Sequence, residues 1–207
     1  MSGNGARELP KGWRWARLGE VCEEKTENRN PTATPDESFQ YVDITSVDNV
    51  LKIIKGVKTL EGKDAPSRAR QVILEGDVLI STTRPNLNAV ALVPARLHNQ
   101  ICSTGFCVLR PKNILSGEFL FHYVKSPSFV KRLSDLVKGA LYPAVTDKQV
   151  REQLIPVPPL PEQKRIVSIL NEQMEAAERA RAATEAQLEI IRKLPSALLR
   201  RAFNGEL

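Results

Sequence analysis

The chain has 207 residues and 23.1 kDa, room for one ordinary domain with an appendage or for two small domains, and too little for a large multidomain enzyme. An apolar share of 42% and a charged share of 26% exclude a disordered chain and predict a packed core. The net charge of +6 is concentrated before the last quarter of the chain: Met1 to Pro159 carries 22 Lys and Arg against 17 Asp and Glu, an electrostatic bias suited to a polyanionic partner.

Met1 to Pro10 is polar, without the apolar middle of a signal peptide, and no apolar run approaches the ~20 residues of a membrane span. Three cysteines make no disulfide framework. Together these features predict a cytoplasmic protein with no membrane role.

After "ELPKGWRWARLGEVCE", strand-sized β-favouring runs recur between turn residues: "YVDIT", "GDVLIST", "NAVALVP" and "ICSTGFCVLRP", the last read as one strand. "SGEFLFHYVKS" and "SPSFVKRLSDLVKG" then predict two short helices. In the second, Ser126 is the N-cap, Pro127 the first helical residue and Gly139 the stop, with Phe129, Val130, Leu133, Leu136 and Val137 on one face. "LIPVPPLP", 154–161, cannot continue a helix, because proline lacks an amide donor and drives its predecessor toward extended geometry. It predicts a semi-rigid strut and a boundary.

From Pro161 onward the text is rich in Ala, Glu, Gln, Arg and Leu and predicts a helix of roughly 60 Å if continuous. Leu170, Met174, Ala177, Leu188, Ile191 and Leu198 follow alternating steps of a heptad seam, interrupted by Arg181, Thr184 and Pro195. Pro195 is expected to kink the helix or split off its final turn. The expected fold class is thus α+β: a mixed α/β domain over 1–155, a proline-rich junction over 156–160, and a long C-terminal coiled-coil helix over 161–207.

Catalytic signatures do not emerge. "GVKTLEGKD" has five residues between Gly56 and Gly62 where a phosphate loop has four, and Asp64 stands where Ser or Thr would ligate magnesium. No HExxH, GxGxxG, GxSxG or Asn-Pro-Pro-aromatic element occurs. Cys102 and Cys107 with His98 fit buried structural residues better than metal ligands. No metal, cofactor or catalytic residue is assigned.

Polar loop text beside basic residues is enriched instead. "STTRPNLN" offers Thr82, Thr83, Arg84, Asn86 and Asn88; "KDAPSRARQ" adds Arg68 and Arg70; "KGALYPAVTDKQ" adds Lys138 and Tyr142. Arg can hold guanine and Asn adenine through paired hydrogen bonds, while Thr serves bases or phosphates. These nine are the candidate DNA contacts. A recognition fragment of a self-contained DNA methyltransferase, and a coiled-coil scaffold without a DNA role, are the alternatives.

"LPKGWRWARLGEV", "GDVLISTTRPNLNAVALV", "STGFCVLRP", "GALYPAVTDKQVREQLIPVPPLPEQKRIV" and "LPSALLRRAFNGEL" stand in the order in which a known family carries such stretches. The chain resembles a type I restriction-modification specificity (S) subunit, in a half-subunit form with one target-recognition domain and one helical region. The resemblance implies that 1–155 reads one half of a bipartite site in double-stranded DNA. It implies that 161–207 spaces such readers and docks methyltransferase (M) subunits, with restriction (R) subunits joining a larger complex. A homodimer through the C-terminal helix is the further expectation.

Overall fold

The computed structural model describes residues 9–205; residues 1–8 of the expected first domain and 206–207 of the expected helical region lie outside the described residues. The chain divides into two compact units, residues 1–164 and 165–207. No helix among the described residues is long and apolar enough to cross a membrane.

The first unit is built on three sheets. β1 (Arg14–Arg17) pairs antiparallel with β9 (Leu154–Val157), Arg14 opposite Val157 and Arg17 opposite Leu154. A four-stranded sheet has the order β3 (Lys58–Glu61), β2 (Ser38–Val42), β7 (Gln100–Ser103), β4 (Ala69–Ile73), with β2 and β7 parallel and the other pairs antiparallel. A three-stranded antiparallel sheet has the order β6 (Val90–Leu92), β5 (Val78–Ser81), β8 (Phe106–Leu109). Val42, Ile73 and Cys102 of the larger sheet share one buried cluster with Leu79, Phe106 and Val108 of the smaller. Burying each large apolar side chain contributes about 1.5–3 kcal/mol.

The reading of "ICSTGFCVLRP" as one strand is corrected. Thr104 and Gly105 turn the chain out of β7 in one sheet into β8 in the other, so Cys102 and Cys107 lie in different sheets. Gln71, at a bulge in β4, holds this crossing by donating from Nε2 to the carbonyls of Ser103 (3.0 Å) and Phe106 (2.9 Å). Gly105 packs closely there: a Cβ would lie 2.6 Å from Ile44 Cδ1 and would have to displace that side-chain end.

Helices α1 (Leu18–Val21), α2 (Gly117–Val124), α3 (Pro127–Asp135) and α4 (Asp147–Arg151) complete the unit. Ser116 caps α2 and Ser126 caps α3, each accepting from the N–H three residues on, with Pro127 opening α3 as expected. The end of α3 differs from expectation. It stops at Asp135, Leu136 is exposed, and Gly139 (φ +84°) belongs to the following turn. Phe129 and Leu133 alone are fully covered, so the buried face is one turn shorter than the apolar text suggests.

The segment expected to be a semi-rigid strut is extended and, over its first four residues, paired. Residues 154–157 form β9 against β1, because Pro156 can sit in a two-stranded edge where no ladder donor is demanded of it. Helix α5 runs from Leu160 to Phe203. Gln163 in its first turn is fully buried: its Oε1 accepts from Ser116 N–H (2.8 Å), and its Nε2 donates to the carbonyls of Ile114 (2.9 Å) and Pro158 (2.8 Å). A buried amide survives there because its bonding is met.

In the second unit, the described structure is the remainder of α5 up to Phe203 and a turn at Asn204 and Gly205. Pro195 does not split it: the helix continues eight residues beyond, to Phe203. The proline removes one donor, but the side chains around it are exposed, so the carbonyl it orphans can be hydrated. Arg181, which interrupts the apolar seam, forms intrahelical ion pairs with Glu178 and Glu185. Met174, Leu188, Ile191 and Leu198 of the predicted seam are exposed, as are Ile190, Leu194, Leu199 and Phe203, which the heptad reading passed over; Leu170 is half-buried and Ala177 exposed.

Candidate nucleic-acid interface

β5 ends at Ser81, and the chain leaving it is held on both sides. Thr82 donates from both its N–H and its Oγ1 to the carbonyl of Gly105, each at 2.9 Å. On the other side Val145 N–H donates to Thr82 O (2.9 Å), Thr83 bridges Ala144, and Arg84 N–H donates to Pro143 O (2.8 Å). Thr104 N–H in turn donates to Arg68 O (2.9 Å). Four loops far apart in sequence, 66–68, 104–105, 82–88 and 141–145, thereby form one hydrogen-bonded series at one end of the sheets.

The middle loop is strained. Pro85 opens a single 3-10 turn over Pro85–Leu87, and the residues that bracket it, Arg84 (φ 49°) and Asn88 (φ 51°), both adopt left-handed backbone. Few non-glycine residues do so, and a residue before proline is normally driven to extended geometry. The conformation is imposed by the bond to Pro143 O and by Leu87 N–H to Arg84 O (2.9 Å). Strain of this kind gathers where a side chain must be aimed.

On this face Arg68, Thr83, Arg84, Asn86 and Tyr142 are exposed, and Lys138 is exposed in the turn after α3. Tyr142 is 85% exposed and its neighbour Leu141, absent from the candidate set, 87%. Three candidates do local work. Arg70 lies in β4, where Nη1 donates to Ala69 O (2.7 Å) and buttresses the 66–68 turn. Thr82 joins the turn at Gly105. Asn88 points its Nδ2 at Lys125 O (3.1 Å), and its Oδ1 is buried with no bonded partner.

Lys52 Nζ reaches the Asn88 carbonyl from another loop. Burial lowers the pKa of Lys52, and burial followed by the charge of Lys52 lowers that of Lys125. Lys125 thus sits in the field of the Lys52 ammonium at the Asn88 end of the loop. Residues 49–55 and Lys125 were missed in the sequence because nothing local links them to "STTRPNLN".

Elsewhere, Cys22, Cys102 and Cys107 are buried free thiols. Burial pushes Cys22 up to about 12 and the other two higher still, which holds them neutral. His98 Nδ1 accepts from Glu75 N–H at 3.3 Å. Among the described residues no three of His, Cys, Asp and Glu gather as metal ligands.

An α+β unit with an exposed cationic loop face, followed in the chain by a long helix with exposed apolar side chains, defines a binding module. The chain belongs to the type I restriction modification DNA specificity domain family, which it matches over residues 10–189.

Among curated relatives, the EcoKI specificity subunit of the type I restriction enzyme from Escherichia coli (strain K12) is 27% identical over 217 residues, covering 98% of this chain and 45% of that subunit. The EcoDI specificity subunit from Escherichia coli is 23% identical over 199 residues, covering 96% and 43%. Among solved structures, the HsdS subunit from Thermoanaerobacter tengcongensis is 46% identical with a TM-score of 0.82, covering 96% of this chain and 50% of that one. A chain from a structural study of complex assembly and conformational transition of the type I R-M system is 45% identical with a TM-score of 0.89, covering 95% and 50%. The chain spans about half the length of the relatives it matches.

Proposed function

We propose that this chain is the sequence-reading component of a type I restriction-modification system, acting in the cytoplasm. The globular unit reads one half of a bipartite site in double-stranded DNA; the helical unit pairs with a second helix and docks methyltransferase subunits, with restriction subunits joining later. The observation that carries the reading is the union of four loops into one face that presents Arg68, Thr83, Arg84, Asn86 and Tyr142.

The chemistry follows from those groups. Arg68, Arg84 and Lys138 neutralise phosphates and set register, releasing counterions as they do so. Arg84 and Asn86, on a loop of enforced shape, also present paired donors and acceptors to base edges, and Tyr142 offers an aromatic face. Arg70, Thr82 and Asn88 position the loops behind them. The chain itself makes and breaks no bond: methyl transfer and cleavage belong to the partner subunits.

The exposed Leu188, Ile191, Leu194 and Leu198 of α5 suit coverage by another helix, and for the isolated chain that helix belongs to a second copy. Such a dimer presents one reading surface twice, so its target is an interrupted palindrome.

The test is selection of bound duplexes from a random pool by the full chain with its methyltransferase subunit. Recovery of a sequence with two inverted half-sites is expected; recovery without sequence preference overturns the reading. Methyl transfer by the chain alone from a labelled donor also overturns it. Light scattering of the full chain is expected to give twice the chain mass, and a chain mass at micromolar concentration refutes self-pairing.

A further inference from the structure

The loop from Asp48 to Ile53 exposes three large apolar side chains, Val50 at 82%, Leu51 at 50% and Ile53 at 48%. It is nevertheless fixed in shape. Val47 bridges Ile54, both buried in the core; Asp48 N–H donates to Ile53 O (2.9 Å) and Lys52 N–H to Asp48 O (2.8 Å). Asp48 Oδ1 accepts from Val50 N–H and Leu51 N–H, each at 2.8 Å, and the carboxylate pairs with Lys55. Those contacts, Lys55 first, hold the Asp48 carboxyl down at about 2, so this brace persists at any ordinary pH. Lys52 turns the chain with a left-handed backbone (φ 59°), and Arg96 Nη2 secures the base at Ile54 O (2.8 Å).

Two features say what this tip meets. First, residues 48–60 carry Lys52, Lys55 and Lys58 against Asp48 alone, and with Lys55 paired to Asp48 the segment keeps a net charge of +2. Second, Lys52 Nζ is bonded to Asn88 O, and Asn88 Nδ2 to Lys125 O, which joins the base of the tip to the end of the Arg84 loop. An apolar protein partner does not call for that excess of lysine; a polyanion does. Apolar side chains on a cationic mount are used to press between base steps, most readily at flexible pyrimidine–purine steps.

We infer that Val50, Leu51 and Ile53 form an apolar wedge that engages a base step of duplex DNA beside the bases read by the Arg84 loop, with Lys52 and Lys125 seating the adjoining phosphate. This rests on the DNA-reading role proposed above and adds to it a shape-dependent part of specificity, at a position flanking the hydrogen-bonded bases.

The experiment uses the full chain with its methyltransferase subunit, the duplexes recovered by selection, and a Val50→Ser/Leu51→Ser variant, which changes no charge and alters only exposed side chains. Affinity is measured over a salt series, and 2-aminopurine placed at each flanking step reports unstacking. Wild type is expected to raise the fluorescence at one step. The variant is expected to abolish that rise and to weaken binding roughly ten-fold or more, the scale of losing buried apolar contact, with an unchanged slope of log affinity against log salt. Unfolding midpoints of the two proteins are compared, with Leu51→Ser alone replacing the double variant if its midpoint falls. Wild-type affinity and fluorescence in the variant overturn the wedge while leaving the reading face intact. Normal DNA binding with lost methyltransferase binding assigns the tip to a protein partner and overturns it equally. Absence of sequence-selective binding by wild type overturns the DNA-reading role itself, and the wedge with it.

Discussion

Arg84 combines two properties that a pair of substitutions can separate. Its side chain is exposed on the candidate face, while its backbone is left-handed at φ 49°, ψ 61°. Left-handed geometry costs an L-residue about 1–2 kcal/mol and glycine essentially nothing. Glycine gives back roughly 0.5–1 kcal/mol through the greater freedom of its unfolded chain. Arg84→Gly is therefore expected to be more stable than Arg84→Ala by about 0.5–1 kcal/mol, an order opposite to that of these residues in a regular helix or strand. Both variants lose the guanidinium, so both are expected to weaken DNA binding and to reduce the slope of log affinity against log salt by about 0.9, the value of one phosphate contact. Urea unfolding midpoints and a salt titration with selected duplexes measure the two effects independently. A glycine variant less stable than the alanine variant refutes the strain; wild-type affinity and slope in both remove this loop from the interface.

Asp77 is 1% exposed and joined to Arg110 by two bonds of 2.9 Å, and it also accepts from Leu74 N–H (2.8 Å); Asp77→Ala leaves the guanidinium facing a hole and is expected to cost about 3–5 kcal/mol in urea unfolding. Gly62→Ala would put a Cβ 2.2 Å from Thr34 O and 2.3 Å from Pro31 O, and the resulting displacement is expected to lower stability by about 1–3 kcal/mol or more, read from the thermal midpoint. The thiols of Cys22, Cys102 and Cys107 have folded pKa values raised above 9.0, so the unfolded state loses these protons first and binds fewer. Stability is then fully present below pH 9 and declines as pH rises toward 12, by up to about 1.4 kcal/mol per pH unit for each thiol. Unfolding midpoints at pH 8 and 10 test this, and a triple Cys→Ala chain is expected to show a shallower decline; an equal decline assigns the alkaline lability to other groups.

Local signals carried most of what was legible. Ser126 followed by Pro127 marks a helix start whatever surrounds it, and the composition after Pro161 specifies a helix on its own. What pairs at a distance was not legible. Nothing near "LIPVPP" indicates that it completes a ladder with "RWAR" some 140 residues earlier, and nothing within "ICSTGFCVLRP" reveals that the sheets change at Thr104. The candidate face was found by residue type, but its internal order was not. Asn88 and Arg70 have the right chemistry for bases and spend it on Lys125 O, at the C-terminal end of α2, and Ala69 O, at the start of edge strand β4, because backbone carbonyls left open at element ends must be met before a partner arrives. The Val50 tip was invisible for the opposite reason: apolar text ordinarily means core, and only the three-dimensional brace at Asp48 turns it outward.

The ladder between β1 and β9 has a consequence for how such a unit can be inherited. Arg14 and Val157 face each other across a strand spacing of about 4.8 Å, so the polypeptide enters and leaves the globular body at one seam. A body closed in this way behaves as a cassette. It can be excised, exchanged or repeated along a longer polypeptide by joining at that seam, and each exchange replaces the exposed loops without unpicking either hydrophobic interior.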